Sequence, residues 1–357
     1  MDIKFEFVNS PKKLDEACSE LRKEDILGID LECENNLHYY GVRIALIQIS
    51  SKTKNYIFDT IGLLNIDPLI KIFENEKIVK IFHDVSFDFR MLTMQYNCVP
   101  KNVYDTQLAV ALLGSAQMGL GELLEKYFSV KKECKFQMAD WVRRPISEDM
   151  LEYAIHDTLH LIELKEILDE ELKKQGKLAW AHEEFKNFEK KDWTYVQGSF
   201  EDIRGIKALS DKERAVAFEI YKLREKLAEK VNRPIHFVVG NKLLLELALH
   251  PLKTLKQWKD IKGVHPIVRL KANEFLVATL KGLNKEYKIE VEKRKRYNQT
   301  QIDMFTSLNE IKEKLSEKYK IPSHLIMNKE QMKKIVLEGN YNCLSNWQRE
   351  LVETINK

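Results

Sequence analysis

The spacing of apolar residues changes along this chain and divides it into two halves. Up to about residue 175, short apolar runs alternate with segments of helical periodicity. Runs of this length, bounded by glycine or polar residues, are typical of buried strands. The predicted strands are Ile26 to Asp30, Arg43 to Ile49, Tyr56 to Asp59 and Ile78 to Phe82, and a helix is predicted from Leu64 to Glu74. The first half therefore predicts an α/β domain, a mixed sheet flanked by helices.

The second half is helical throughout and contains an internal repeat. The segment from Glu225 to Lys230 recurs from Glu313 to Lys318, and the Pro-x-His motif at 234–236 recurs at 322–324. Both shifts equal 88 residues (313 − 225 and 322 − 234). Each copy has a long amphipathic helix, a break at proline, a short apolar segment and another helix. The repeat therefore predicts a duplicated helical module.

These patterns place domain boundaries along the chain. We expect an α/β domain at residues 1–190, a connector at 191–207, a helical domain at 208–284 and a second, shorter helical domain at 300–357. The stretch 176–207 is too aromatic to be a free linker, so we expect it to pack on a domain. Its aromatic residues include Phe185, Phe188, Trp193, Tyr195 and Phe200.

Acidic side chains occur where predicted strands end. Asp30 and Glu32 lie two residues apart at a strand end, so both project from one face. Glu34 follows, and three acids within five residues repel one another unless a cation is present. Asp88 comes shortly after another predicted strand. Open α/β folds place their ligands at such strand ends, so these carboxylates form a candidate site.

Tyr153 and Asp157 add a phenol and a carboxylate to this set. They are spaced i, i+4 in a predicted helix from Met150 to Leu168 and therefore share a helix face. Four carboxylates brought together need cations, and hard oxygen ligands select Mg²⁺ or Mn²⁺. Two such ions roughly 3.5–4 Å apart would hold the attacking and leaving oxygens of a displacement at phosphorus. The pattern thus predicts a two-metal phosphoryl-transfer site.

Other polar residues near these motifs have simpler interpretations. His83, His156 and His160 lack the spacing of zinc ligands, and we expect His83 to be a core residue or to contact the site indirectly. Asp105 could be a further carboxylate behind the site or a helix cap ahead of Thr106, and we favour the cap.

In this order and with these flanking elements, the motifs resemble those of ribonuclease D, in the DEDDy group of 3′-to-5′ exonucleases. The five matching positions are Asp30, Glu32, Asp88, Tyr153 and Asp157. The resemblance covers residues from about 1 to 190 and implies a ribonuclease H-like fold, and the duplicated helical modules resemble the HRDC domain. Further similar strings are Tyr39-Tyr40, Leu46-Ile47-Gln48, Tyr104-Asp105-Thr106-Gln107 and Asp140-Trp141-Val142-Arg143-Arg144-Pro145.

The resemblance implies a metal-dependent 3′-5′ exoribonuclease that releases 5′-mononucleotides, with transfer-RNA 3′ processing as its role. Asp30 and Asp157 would hold the ion that activates water, Glu32 would add to that site, and Asp30 would bridge to the second ion. Asp88 would act through the second ion or its waters. Tyr153 would orient the attacking water, because a phenol with a pKa of ~10 is a poor free base.

Two other functions remain open from the sequence. The same centre could belong to a DNA 3′-5′ exonuclease for repair or proofreading, because the carboxylates do not distinguish the sugar. The chain could also be an inactive nuclease whose helical modules capture structured RNA, although the complete set of carboxylates argues against this. The helical repeats could instead form a dimer surface, whereas we expect a monomer.

Composition indicates the compartment of the protein and limits the kinds of partner that it could bind. The 357 residues are 32% charged, and no stretch approaches the ~18 apolar residues of a membrane helix, so we expect a cytosolic protein and no membrane partner. Five scattered cysteines argue against a disulfide framework. The net charge of +3 is too small to indicate a nucleic-acid partner by itself. Basic residues are nevertheless concentrated at Lys293 to Arg296 and at Arg143-Arg144, beside the candidate site.

Overall fold

The computed structural model describes residues 4–115, 118–132, 135–289 and 297–354. The chain divides into two compact units. The larger unit takes in the described parts of 1–32, 44–195 and 295–357, and the smaller unit takes in those of 33–43 and 196–294. Within the described ranges, no helix combines the length and apolarity needed to cross a bilayer.

A six-stranded mixed sheet forms the centre of the larger unit, with strand order β1-β4-β3-β2-β5-β6. β1 pairs with β4, β2 with β5 and β5 with β6 in parallel, whereas β3 and β4 are antiparallel. The prediction of a mixed sheet is confirmed. The strands are β1 (Glu6–Val8), β2 (Ile26–Asn35), β3 (Val42–Ser50), β4 (Asn55–Asp59), β5 (Val79–Phe82) and β6 (Val103–Asp105).

Eight helices flank this sheet along residues 4–188 of the described chain. The predicted helix from Leu64 is shorter than expected, because Pro68 belongs in a first helical turn. The predicted helix from Met150 to Leu168 is two helices that meet at His160. The helices are α1 (Pro11–Leu21), α2 (Asp67–Phe73), α3 (Val85–Tyr96), α4 (Thr106–Leu112), α5 (Leu120–Phe128), α6 (Glu148–Leu159), α7 (Leu161–Lys174) and α8 (Leu178–Phe188).

The first helical module, residues 211–283, lies in the smaller unit and has a core of its own. Val216, Ile220, Trp258 and Phe275 are fully buried there. Two short 3₁₀ turns, which include Phe200 and Ile206, precede it. Its helices are α9 (Asp211–Val231), α10 (Ile235–Val238), α11 (Asn241–Leu249), α12 (Leu255–Asp260), α13 (Pro266–Leu270) and α14 (Ala272–Leu283).

The second helical module, residues 299–353, belongs to the larger unit and shares its core. The sequence predicts a domain of its own at 300–357, but in the structure these helices pack with the α/β residues. The aromatic stretch 176–207 is packed as expected, since Phe185, Trp193 and Phe200 are buried. The helices of the module are α15 (Gln299–Tyr319), α16 (Ser323–Ile326), α17 (Lys329–Glu338) and α18 (Asn346–Glu353).

Candidate active site

Strand β2 carries the first two carboxylates. It is longer than predicted and lies between β3 and β5, inside the sheet. Ile29 and Leu31 are buried, while Asp30 and Glu32 alternate with them and are half-buried. The two carboxylates therefore lie on the same face of the strand, as the spacing predicts.

A glycine in β2 lets helix α6 bring Asp157 to these two residues. A Cβ atom at Gly28 would lie 2.9 Å from the carbonyl oxygen of Thr158 and 3.1 Å from Cβ of Leu161, so a side chain there would force the junction of α6 and α7 outward. The Ser50 and Thr158 hydroxyls also share a buried 2.7 Å hydrogen bond. Asp157 immediately precedes Thr158. As a result, one carboxylate oxygen each of Asp30, Glu32 and Asp157 lies within 4.8 Å of the other two.

Asp88 reaches the site from the first turn of α3. The turn before it is fixed by Asp105, whose carboxylate accepts hydrogen bonds from the backbone N–H groups of Asp84 and Val85 at 3.2 and 3.1 Å. The same carboxylate caps α4 by accepting from Gln107, which agrees with the cap interpretation. Asp88 is not a member of the 4.8 Å cluster, but it is buried and its charge acts on Glu32.

The carboxylates of this group repel one another, and their burial strengthens the effect. Burial, followed by the neighbouring charge of Asp157, raises the pKa of Asp30 to about 7. Burial is also the main cause of the raised pKa values of Glu32, Asp88 and Asp157. Four ionised groups in this space require compensating positive charge.

Lys132, a residue that the sequence patterns did not predict, supplies part of that charge. Its Nζ forms an ion pair with Oδ1 of Asp157 and lies 5.2 Å from the ring centroid of Tyr153. Burial opposes a charge on Lys132, but Asp157, together with Tyr153 and Asp30, more than offsets this and raises the lysine pKa. The only sequence signal was a pair of lysines after α5, outside any periodic pattern, which a surface loop would also show.

Tyr153 lies on α6, one turn before Asp157. Its ring packs edge-on against Phe136 at 5.6 Å and is stacked near Trp141 at 6.1 Å. These contacts fix the ring beside the carboxylates. The ring of Tyr153 is therefore held by aromatic packing, and the residue also lies at the candidate site.

Two other residues of the sequence motifs, Arg144 and His83, have structural roles. Arg144 donates to both carboxylate oxygens of Asp59, at 2.9 and 2.5 Å, and to the carbonyl of Ala45, which ties its segment to β3 and β4. His83 Nδ1 lies 2.9 Å from the Thr106 hydroxyl, and burial lowers the histidine pKa to about 4. The basic run Lys293 to Arg296 lies outside the described residues.

Comparisons with known proteins agree with this geometry. A family model described as a 3′-5′ exonuclease matches residues 5–173, and an HRDC domain model matches residues 213–278. Ribonuclease D of Nitrobacter hamburgensis is 23% identical over 357 residues, which covers 97% of this chain and 93% of that protein. The chain carries 3′-5′ exonuclease and HRDC domains. The exosome complex exonuclease RRP6 of Saccharomyces cerevisiae is 29% identical over 262 residues, covering 68% of this chain and 36% of the yeast protein.

The fold of this chain is also found in solved structures. The crystal structure of Escherichia coli RNase D superposes with a TM-score of 0.73 at 20% identity and covers 99% of this chain and 97% of that one. The predicted fold class is thereby confirmed.

The family implies a dependence on divalent cations, and the residues present fit such ions. The donors are carboxylate oxygens, the ligands that hard divalent cations prefer. Their raised pKa values show that the protein alone does not fully compensate their charges. The site has the chemistry of a divalent metal centre.

Proposed function

We propose that this protein is a divalent-metal-dependent 3′-5′ exoribonuclease that hydrolyses the terminal phosphodiester of RNA and releases 5′-mononucleotides. The observation that supports this most directly is the meeting of Asp30, Glu32 and Asp157 within 4.8 Å, beside Tyr153. The ribonuclease D relatives point to RNA rather than DNA as the polymer.

Each residue has a distinct role in this proposal. Asp30, Glu32 and Asp157 hold the divalent ions, Mg²⁺ or Mn²⁺, and Asp88 contributes from α3. When bound, two such ions lower the pKa of water and offset charge on the leaving 3′ oxygen. Tyr153, with its ring held by Phe136 and Trp141, orients the attacking water through its hydroxyl group.

Lys132 adds a cation to this set. In the structure its ammonium group neutralises Asp157. With divalent ions bound to the carboxylates, the ammonium group would be available to a phosphate oxygen of the substrate, which is the other anion at the site.

We further propose that the natural substrates are transfer-RNA precursors or other structured RNA with a 3′ tail, and that the enzyme acts as a monomer in the cytosol. The solved E. coli relative is described as an exoribonuclease involved in structured RNA processing. The helical modules would bind such RNA upstream of the 3′ end.

The test is digestion of RNA and DNA of one sequence by the wild type and by Asp157→Asn. The variant keeps the shape of the side chain and loses its charge, so we expect release of mononucleotides to fall ~10²-fold or more. Asp149→Asn is a matched control, because Asp149 is also on α6 but is 74% exposed. A tenth of wild-type activity left in Asp157→Asn would contradict the site, and preferential digestion of DNA would contradict the RNA assignment.

A further inference from the structure

Thr158, which follows Asp157 directly in the chain, contacts two strands of the sheet. It is fully buried, and its backbone carbonyl lies against Gly28 of β2, where a Cβ atom would come within 2.9 Å. Its hydroxyl group lies 2.7 Å from that of Ser50, at the end of β3. Because β2 and β3 are neighbours in the sheet, Thr158 is held on one strand by its backbone and on the other by its side chain.

The two hydroxyl groups belong to a chain of hydrogen bonds with a defined direction. The hydroxyl oxygen of Thr158 lies 3.1 Å from the carbonyl oxygen of Ile155, in the preceding turn of α6, and a carbonyl can only accept. The single proton of the Thr158 hydroxyl is used there, so the Ser50 hydroxyl donates to Thr158. Ser50 is 1% exposed. A buried chain of hydrogen bonds therefore runs from β3 to the last turns of α6.

Burial of these two side chains does not by itself require a hydrogen bond. Replacing both partners of a buried hydrogen bond by apolar groups of the same shape can be nearly neutral for stability. Apolar contacts are present at the same interface, since Leu46 of β3 and Ala154 of α6 belong to one buried cluster. A hydrogen bond adds direction, because its length and angle fix where Thr158 lies relative to β3. The position of the neighbouring Asp157 is fixed with it.

We propose that Ser50 and Thr158 are positioning residues, which hold Asp157 at the distance from Asp30 and Glu32 that a divalent ion requires. The proposal rests on the assignment of these carboxylates as metal ligands under the proposed function. Metal ligands must be held within about 0.5 Å of the productive geometry by neighbours whose own orientations are fixed. Asp157 comes from a helix, whereas Asp30 and Glu32 share a strand, so the fit of helix on sheet sets the distance between them.

The experiment compares Thr158→Val, which keeps the branched shape and loses the hydroxyl group, with Thr158→Ser, which keeps the hydroxyl group. Binding of Mn²⁺ to the full-length protein is measured by electron paramagnetic resonance, without RNA. Residues that orient metal ligands contribute about 10- to 100-fold to metal affinity. We therefore expect Thr158→Val to weaken Mn²⁺ binding about tenfold or more, and Thr158→Ser to recover most of this loss.

Ser50→Ala tests the other partner of the hydrogen bond. It should weaken Mn²⁺ binding as much as Thr158→Val does. The double variant Ser50→Ala, Thr158→Val should bind no more weakly than either single variant, because the same hydrogen bond is lost in all three. Hydrolysis of RNA by these variants should fall at limiting Mn²⁺ and recover as the Mn²⁺ concentration is raised.

Thr279→Val is the matched control. Thr279 is also fully buried, and its hydroxyl group donates to the carbonyl oxygen of Phe275 at 2.9 Å, in the smaller unit. Its replacement should lower the melting temperature of the first helical module in EDTA and leave Mn²⁺ binding unchanged.

A lower melting temperature of Thr158→Val in EDTA, with the Mn²⁺ affinity of the wild type, would show a merely structural role and overturn the proposal. Additive losses of affinity in the double variant would also overturn it. If Thr158→Val does not fold, Ser50→Ala decides by the same affinity. A wild type that binds Mn²⁺ without hydrolysing RNA would contradict the proposed function, whereas the positioning of Asp157 is judged by the Mn²⁺ affinities alone.

Discussion

The two helical modules have matching sequence patterns but different neighbours. Helices α9 and α15 begin at Asp211 and Gln299, and α11 and α17 begin at Asn241 and Lys329, so both pairs keep the 88-residue shift. The first module packs on itself in the smaller unit, whereas the second is part of the larger unit with the carboxylates. A repeat in sequence therefore specifies helices without specifying what covers them.

The first module closes its core with its own last helix. Helix α14 packs so closely on α9 that a Cβ atom at Gly282 would lie 2.5 Å from Cα of Val216. Trp258 is stacked on Phe275 at 4.9 Å. These contacts bury much of the long helix of the module with side chains of the module itself.

In the second module, the matching long helix is covered by the α/β residues. Leu308 and Leu315 of α15 are buried in one cluster with residues of α5 and α7. Trp347 is stacked on Trp180 of α8 at 4.9 Å, and its Nε1 donates to Glu184 at 2.8 Å. The second copy of the repeated pattern is thus a structural part of the larger unit.

A further group of polar contacts joins the ends of helices from the two parts. Glu183 accepts from the backbone N–H of Asn346 at 2.7 Å, at the start of α18. Lys177 is 5% exposed and donates to the carbonyls of both Leu112 and Tyr319, at the ends of α4 and α15. The second module is thus held by caps as well as by apolar contacts.

Separate fragments should show the largest difference between the modules. We expect residues 199–289 to unfold cooperatively when expressed alone, and residues 297–354 to be largely unfolded, because their buried face needs the α/β residues. For the same reason a fragment of residues 1–207, although it contains all the proposed ligands, should expose the apolar surface that α15 covers. Circular dichroism melts and dye binding would measure this. A cooperative melt of fragment 297–354 would contradict the comparison.

A pair of tryptophan variants tests the same contrast in the full chain. Trp347→Ala and Trp258→Ala each remove a buried ring and should each cost about 3–5 kcal/mol. The first should lower the temperature at which RNA hydrolysis is lost, since Trp347 packs on the nuclease. The second should lower the unfolding free energy of the first module and leave the temperature of activity loss near that of the wild type. Equal effects on activity loss would place both modules in the same cooperative unit.

Metal binding should distinguish the modules by a smaller effect. At about 100-fold excess over its dissociation constant, Mn²⁺ should stabilise the larger unit by ~2.7 kcal/mol and leave the first module unchanged. The effect should depend on pH. The raised carboxyl pKa values, about 7 for Asp30, mean that the metal-free fold retains protons that the unfolded chain releases.

The sign of the pH dependence follows from this proton uptake. These carboxyl groups favour the metal-free fold most below about pH 4, where they are protonated in both the folded and the unfolded chain. The larger unit should lose this part of its unfolding free energy as the pH rises through about 7, because the buried carboxyl groups must then ionise in the folded state. Added metal should therefore stabilise it more at pH 8 than at pH 5. Denaturant titrations at both pH values, with EDTA or Mn²⁺, measure the difference. Stabilisation that is equal at both pH values would contradict the raised pKa values.

Substitution of two glycines should give the smallest effects that still distinguish the two modules. Gly114 has φ of +94°, and a Cβ atom there would overlap the carbonyl oxygen of Lys320 in the second module. Gly282→Ala would press α14 off α9 in the first. Each alanine should cost about 1–3 kcal/mol, in the larger and the smaller unit respectively. Gly176→Ala is the control, because φ is +70° and nothing lies within 4 Å of its Cβ position. If it costs as much as Gly114→Ala, the effect comes from backbone strain rather than from packing.

Much of the fold and the candidate site could be predicted from short-range patterns. Asp30 and Glu32 alternate with buried residues along one strand, and the spacing of Tyr153 and Asp157 fits one helix, so local periodicity predicted which of these side chains share a face. That the strand and the helix meet was implied by the resemblance to the exonuclease family. Lys132 could not be found in this way, because its role depends on a loop that folds back onto Asp157. The surface that covers the second module could not be predicted either, because an apolar helix face does not specify which other apolar surface it packs against.

The larger unit is discontinuous in sequence, and this matters while the chain is being made. Residues 44–195 leave the ribosome first, but the helices that complete their core begin at Gln299. At about 5–20 residues per second, synthesis of the intervening ~100 residues takes roughly 5–20 s. During that interval the surface for Trp347 and Leu315 stays uncovered. A nascent chain therefore carries all its carboxylates before it can build a complete nuclease, and assembly of a stable enzyme waits for nearly the whole chain.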